Sequence, residues 1–184
     1  MIKIVVHIER FLARILGKGW GAATIDTEVK LCLQSLKNRN SPVVFDVGAN
    51  KGNWTATLYD NIPEATVLMV EPSKTNIEKL QKRFPDALLN AHKVKSGKKY
   101  LLPIALSSES GTQTLYADVP GSGLGSLTQR QIEYHNIDHG LHSETVETMT
   151  LDEIALNLNI KYIDLLKMDV EGHELDVLKG GETC

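Results

Sequence analysis

The chain has 184 residues, 42% of them hydrophobic and 23% charged, with 14 Gly, 6 Pro and a net charge of −3. That length suits one domain with a real core, and the composition excludes collagen-like, low-complexity and disordered classes. Mild acidity argues against nucleic acid as a partner, and two cysteines cannot frame a small secreted domain, so a reducing, cytoplasmic setting is expected.

Charge is unevenly spread, +4 over residues 1–40 and −7 over the rest. Residues 2–16 set Ile4, Ile8, Phe11 and Ile15 along one helical stripe, with Lys3, His7, Arg10 and Arg14 opposite. Such a basic amphipathic helix is compatible with contact to an anionic membrane surface, but the plainer reading is a docking helix with a solvated face. Arg10 and Arg14 interrupt any signal-peptide core, and no apolar run reaches the roughly 18 residues of a membrane span. A second helix is predicted from Thr27 to Leu36, and the two make an N-terminal helical appendage over residues 1–40.

From Val43 the rhythm becomes strand, helix, strand, helix. Val43–Val47 and Thr66–Val70 are short apolar runs, as buried parallel strands require, with a helix from Asn53 to Asn61 between them. Ser73 is the expected N-cap of a helix running to Phe84. A third strand is expected over Tyr100–Leu106, a further extended segment over Gly111–Ala117, and an irregular loop or lid over residues 118–143. Thr150 and Glu153 form a capping box for a helix over Asp152–Leu158, Ile163–Val170 is another buried strand, and a helix begins at Glu174. This alternation describes an α/β parallel sheet, and residues 43–184 are read as one such domain.

The strongest chemical signal is Asp46-Val47-Gly48-Ala49-Asn50-Lys51-Gly52-Asn53, set between a strand and a helix. A phosphate-binding Gly-Lys-Ser/Thr is absent. A nicotinamide-dinucleotide fingerprint needs glycine where Asn50 and Asn53 stand. Glu71 ends the second strand, 19 residues beyond Gly52, at the position where a carboxylate meets ribose hydroxyls. Asp46 would repel a pyrophosphate but suits a cationic group. A nucleoside joined to a cation fits both carboxylates, and S-adenosylmethionine is such a molecule.

The runs VVFDVGANKGNW, VEPS, LPIALSSESGT, TMTLDEI and DLLKMDVEGHELDVLKGG together resemble the FkbM family of S-adenosylmethionine-dependent methyltransferases over residues 43–181. The resemblance implies a Rossmann-like, doubly wound, mostly parallel sheet of the class I methyltransferase fold. By position it implies that Asp46, Gly48, Asn50, Gly52 and Asn53 surround the methionine half of the cofactor, Glu71 takes the ribose, and Ala105 to Ser107 border the adenine. It also implies a small-molecule or carbohydrate acceptor methylated on a hydroxyl oxygen. Alternatives are an RNA or protein methyltransferase and an idle cofactor-binding scaffold.

Asp169-Val170-Glu171-Gly172-His173 again lies between a strand and a helix. The crevice of this fold opens between the first strand and this one, so the motif is expected to face the sulfonium, with Asp169 on the cofactor. A hydroxyl acceptor must lose its proton, which makes Glu171 and His173 the candidate general bases. His135, His139 and His142 have metal-ligand spacing but lack the zincin Glu, so no metal is expected. Lys93, Lys95, Lys98 and Lys99 read as a solvated basic run. The family's sheet has further strands, so the domain reads as cut short at its C-terminus. An exposed edge at Ile163–Val170 would then favour self-association.

Overall fold

Strands whose side chains are apolar on both faces need a cover on each side, and that requirement sets the architecture. The computed structural model describes residues 25–89, 93–128 and 142–183. Helix α1 (Ile25–Leu36) leads into strand β1 (Val43–Val47), then α2 (Asn53–Asn61), β2 (Thr66–Val70) and α3 (Lys74–Arg83). Strands β3 (Leu88–Leu89), β4 (Lys99–Leu102), β5 (Ala105–Leu106), β6 (Gly111–Ala117) and β7 (His142–Met149) follow. Helix α4 (Leu151–Asn157), strand β8 (Leu165–Met168) and helix α5 (Glu174–Lys179) complete the order.

The main sheet has the order β3-β4-β2-β1-β8, and every pairing in it is parallel. Val44, Val67, Met69 and Leu101 point to one face, where Val29 and Leu36 of α1, Leu58 of α2 and Leu80 of α3 cover them. Phe45, Val47, Leu68, Val70 and Tyr100 point to the other face, beneath Leu151 and Ile154 of α4 and Val177 of α5. Each such side chain, once fully buried, contributes about 1.5–3 kcal/mol. This three-layer arrangement around a parallel sheet is the Rossmann-like architecture that the family resemblance implied. Helix α1 begins two residues earlier than its periodicity predicts, and the proposed helix over 2–16 lies outside the described residues.

Four expectations need correction. The strand expected over Tyr100–Leu106 is two strands in different sheets, because Pro103 has no N–H to continue the ladder. β4 stays in the main sheet, while β5 pairs with β7 in a three-stranded sheet of order β5-β7-β6. Part of the expected loop over 118–143 is the start of β7, which runs antiparallel to all of β6. The strand expected over Ile163–Val170 is ladder-bonded only from Leu165 to Met168, with β1 as its single partner among the described residues. Lys99 leaves the solvated run: it is buried on β4, 2.8 Å from the Asp86 carboxylate and 3.9 Å from the centre of the Tyr59 ring. That ammonium also holds the Asp86 carboxyl below its ordinary range.

The two caps differ as well. Thr150 Oγ1 accepts from the Glu153 N–H at 3.1 Å, as its capping box requires. The return bond is relayed through Ser110, whose hydroxyl donates to the Glu153 carboxylate and accepts from the Thr150 N–H at 3.2 Å. Ser73 caps nothing with its side chain.

Candidate active site

Strand order reverses between β1 and β8, and at such a switch point the turns leaving neighbouring strands diverge and open a crevice. A cleft lies there, lined by Gly48 and Asn50 from the β1 turn, Glu71 and Ser73 beyond β2, Ala105 on β5, and Asp169 and His173 beyond β8. The small sheet closes it with Leu115 and Ala117 of β6, the segment 121–127 and Glu144 of β7.

The β1 turn is shaped by three left-handed residues, Gly48 (φ 73°), Asn50 (φ 50°) and Gly52 (φ 72°). At Gly48 the requirement is close approach as well as conformation: a Cβ there would sit 2.0 Å from the Asp169 carbonyl oxygen. The turn from β1 and the turn from β8 therefore touch, backbone to backbone. Gly52 does something different from what the motif implied. Its missing side chain makes room for Phe84 and Leu80 of α3, so it packs a helix and lines no part of the cleft.

Glu71 is 5% exposed. Its Oε2 accepts from the Asn50 N–H at 2.7 Å, and its Oε1 accepts from the Ser73 N–H at 3.0 Å and from Asn76 Nδ2 at 3.4 Å. Burial pushes this carboxyl above the ordinary glutamate value of 4.5, against the pull of those N–H donors, and the Asp46 charge pushes the same way. Among the described residues, the buried Ser73 hydroxyl and Asn50 Oδ1 have no hydrogen-bond partner. A cleft with a fixed carboxylate and unsatisfied polar atoms around it fits a hydroxyl-rich ligand such as a nucleoside.

Other expected residues stand elsewhere. Asp46 is fully buried and outside the cleft; Thr55 Oγ1 donates to its Oδ2 at 2.6 Å, and Lys167 Nζ lies 2.9 Å from its Oδ1. A carboxylate already neutralised in this way does not meet a ligand cation, which corrects the role expected for Asp46. Asn53 is exposed and accepts a bond from Arg83, facing an adjoining cavity rather than the cleft itself. Ser107 lies behind the cleft wall, accepting from Gln113 Nε2 at 3.0 Å and contacting His173 Nε2 at 3.0 Å.

His173 reaches the cleft, but its nitrogens are taken. Nε2 faces Ser107, and Nδ1 stands 3.5 Å from both Asp176 Oδ2 and Thr128 Oγ1. That leaves no nitrogen for an acceptor proton, so His173 is a structural residue of this wall. Glu171 lines the adjoining cavity that opens off the same turn, together with Asp169, Lys51 and Asn50. Its backbone is left-handed (φ 56°), an uncommon state for a glutamate, and its carbonyl accepts from Ser126 Oγ at 2.9 Å. His142 sits on β7, and His135 and His139 lie outside the described residues. Among the described residues no group of His, Cys, Asp and Glu could hold a metal ion, and no helix is long and apolar enough to cross a membrane.

The sequence reading missed the run Gly121-Ser122-Gly123-Leu124-Gly125-Ser126, although its alternating glycines were visible. Gly121 (φ 69°) lets this segment lie against Thr75, Asn76 and Lys79 at the start of α3, and Gly123 lets it lie against the Asn50 amide. Lys167 was also missed, because a lysine inside an apolar strand gives no sequence signal of what it pairs with.

Comparison with known proteins agrees with this geometry. A family model described as the methyltransferase FkbM domain matches residues 46–183. The chain is 24% identical over 147 residues to a protein named Methyltransferase 1 of Beauveria bassiana, and 28% identical over 165 residues to Methyltransferase sdnD of Sordaria araneosa. These alignments cover 74% and 77% of the chain. It is 24% identical over 180 residues, 92% of the chain, to the 2-O-methyltransferase NoeI of Sinorhizobium fredii. The matches span 57%, 61% and 69% of those relatives' own lengths. No solved structure matches significantly.

Proposed function

The chain belongs to the FkbM methyltransferase family, and from that premise we propose that it binds S-adenosylmethionine in the cleft and methylates a hydroxyl oxygen of a sugar, glycan or related small molecule. The observation that carries the cofactor reading is Glu71. A buried carboxylate fixed by three N–H donors is a ready acceptor for a vicinal diol, and Oε2, which accepts one bond, keeps a lone pair for a ribose hydroxyl. Apolar Ala105, Leu106, Leu115 and Leu127 supply flat packing for a base on the same side of the cleft.

When bound, this cofactor supplies a methyl carbon activated by the sulfonium. The chain's own residues then have two tasks. Gly48, Asn50 and Asp169 hold the methionine half at the β1–β8 contact, where orientation of the reactants lowers the barrier. Glu171, in the adjoining cavity, takes the proton of the acceptor hydroxyl. The name of the 2-O-methyltransferase relative favours oxygen as the acceptor atom. In this reading residues 43–184 carry the chemistry, and helix α1 braces one face of the sheet.

Calorimetric titration with S-adenosylmethionine, followed by transfer of labelled methyl to a panel of hydroxylated acceptors, tests both parts. Saturable binding and label on oxygen are expected. A folded chain that does not bind overturns the cofactor, and label on nitrogen or carbon overturns the acceptor atom.

A further inference from the structure

Asp46 on β1 and Lys167 on β8 are register partners in the parallel ladder, so their side chains emerge on the same face of the sheet. The ammonium lies 2.9 Å from Asp46 Oδ1, 3.2 Å from the Gly48 carbonyl oxygen and 3.5 Å from the Val47 carbonyl oxygen. The ammonium thus has one ion-pair partner and two carbonyl acceptors, all on β1 or its turn. Thr55 Oγ1 occupies the other carboxylate oxygen of Asp46. The charge of Asp46 is therefore spent inside the protein. The carboxylate just beyond β8, Asp169, is exposed, lines both the cleft and the adjoining cavity, and has no side-chain partner among the described residues.

We propose that Lys167 is a positioning residue of the transfer site: it neutralises Asp46, pins the Gly48 turn against β8, and leaves Asp169 as the carboxylate that reads the cationic half of the cofactor. The assignment rests on the S-adenosylmethionine reading above. It follows from two physical constraints. A half-buried lysine beside a fully buried carboxylate is favoured when the two charges neutralise each other, as they do here. A carboxylate shared with an ammonium at 2.9 Å attracts a second cation weakly, whereas an unpaired one at the mouth of a cleft attracts it in full.

The test compares affinity for S-adenosylmethionine with affinity for S-adenosylhomocysteine, which lacks the sulfonium charge, in the full chain. Asp169→Asn is expected to shrink the preference for the charged ligand by about fivefold or more. The double variant Asp46→Asn, Lys167→Met is expected to weaken both ligands together by several-fold, through a looser turn, and to keep their ratio within about twofold of the parent. Lys167→Arg, which retains the charge, is expected to recover most of the affinity. A ratio that collapses in the double variant, or that stands unchanged in Asp169→Asn, overturns the assignment. If the parent binds neither ligand, the cofactor reading has failed instead, and melting temperatures still judge the pair. A double variant more stable than either Asp46→Asn or Lys167→Met alone supports the coupling, and additive losses refute it.

Discussion

Glu71 beyond β2 lines the cleft and Glu171 beyond β8 lines the cavity that adjoins it, the first 5% exposed among three N–H donors, the second half-buried on a left-handed backbone. The difference suits the two tasks proposed for them. A residue that holds a ligand gains from being fixed before the ligand arrives, since nothing then has to be ordered on binding. A residue that takes a proton must reach solvent or acceptor, and strain in its backbone is tolerated where the surrounding turn over-determines it. Gly48 joins the two ends, because its bare Cα is what lets the turns from β1 and β8 touch.

The largest expected effect removes that contact. Gly48→Ala combines a left-handed φ of 73° with a Cβ only 2.0 Å from the backbone oxygen of Asp169, so the two turns must part. A loss of about 3 kcal/mol or more is expected from strain plus steric displacement. Thermal or denaturant unfolding checks it, and a melt within a degree or two of the parent would mean that the ends are not rigidly joined.

The chemistry end comes next. Glu171→Gln keeps the shape and removes the base, so turnover is expected to fall by roughly a hundredfold while ligand affinity holds. Glu171→Gly separates chemistry from strain. Glycine accepts φ 56° freely but widens the unfolded ensemble, so stability is expected to change by less than about 1 kcal/mol while turnover falls as far as in the glutamine variant. Turnover retained within a few-fold in both variants would assign Glu171 to the turn alone.

At the binding end, Glu71→Ala strips the acceptor from the diol and from the Asn50 and Ser73 N–H groups. Affinity for S-adenosylmethionine is expected to fall by about one to two powers of ten, measured calorimetrically on folded protein. Unchanged affinity would move the ribose elsewhere and dissolve the contrast between the two glutamates.

The same contrast explains what could be read from the sequence. Val43–Val47 and Thr66–Val70 are buried on both faces, so their sequence is a plain apolar run and the strands match their predicted bounds. The small sheet is one-sided. In β7 only Val146 and Thr148 are buried, exposed Thr145 and Glu147 alternate with them, and the half-buried Glu144 continues their face, so no apolar run announces a strand. The place of Glu71 beyond β2 was legible because it follows directly from the strand's bounds. The fate of Asp46 was not, because its partner is 121 residues away and the register that joins Asp46 to Lys167 is a property of the folded sheet. Likewise the contact of His173 with Ser107 joins residues 66 apart in the chain and is a property of the fold.

The smallest expected effect is a dependence on pH confined to the binding end. Burial holds the Glu71 carboxyl above its ordinary value of 4.5, so between that value and its native one the folded chain binds more protons than the unfolded chain. Stability contributed by this group is therefore highest at the acid end of the window and declines as pH rises through it. Binding runs the other way. A ribose hydroxyl donates to the carboxylate, so affinity is expected to fall as pH drops through the same window. Glu71→Gln removes the titration and should flatten both slopes. It also turns an amide N–H toward the Asn50 or Ser73 N–H in place of an acceptor, so its overall affinity stays low at every pH. Opposed slopes in the parent and flat lines in the variant, from melts and titrations over one pH series, would tie both to this carboxyl. Slopes that persist in the variant would assign them to groups other than Glu71.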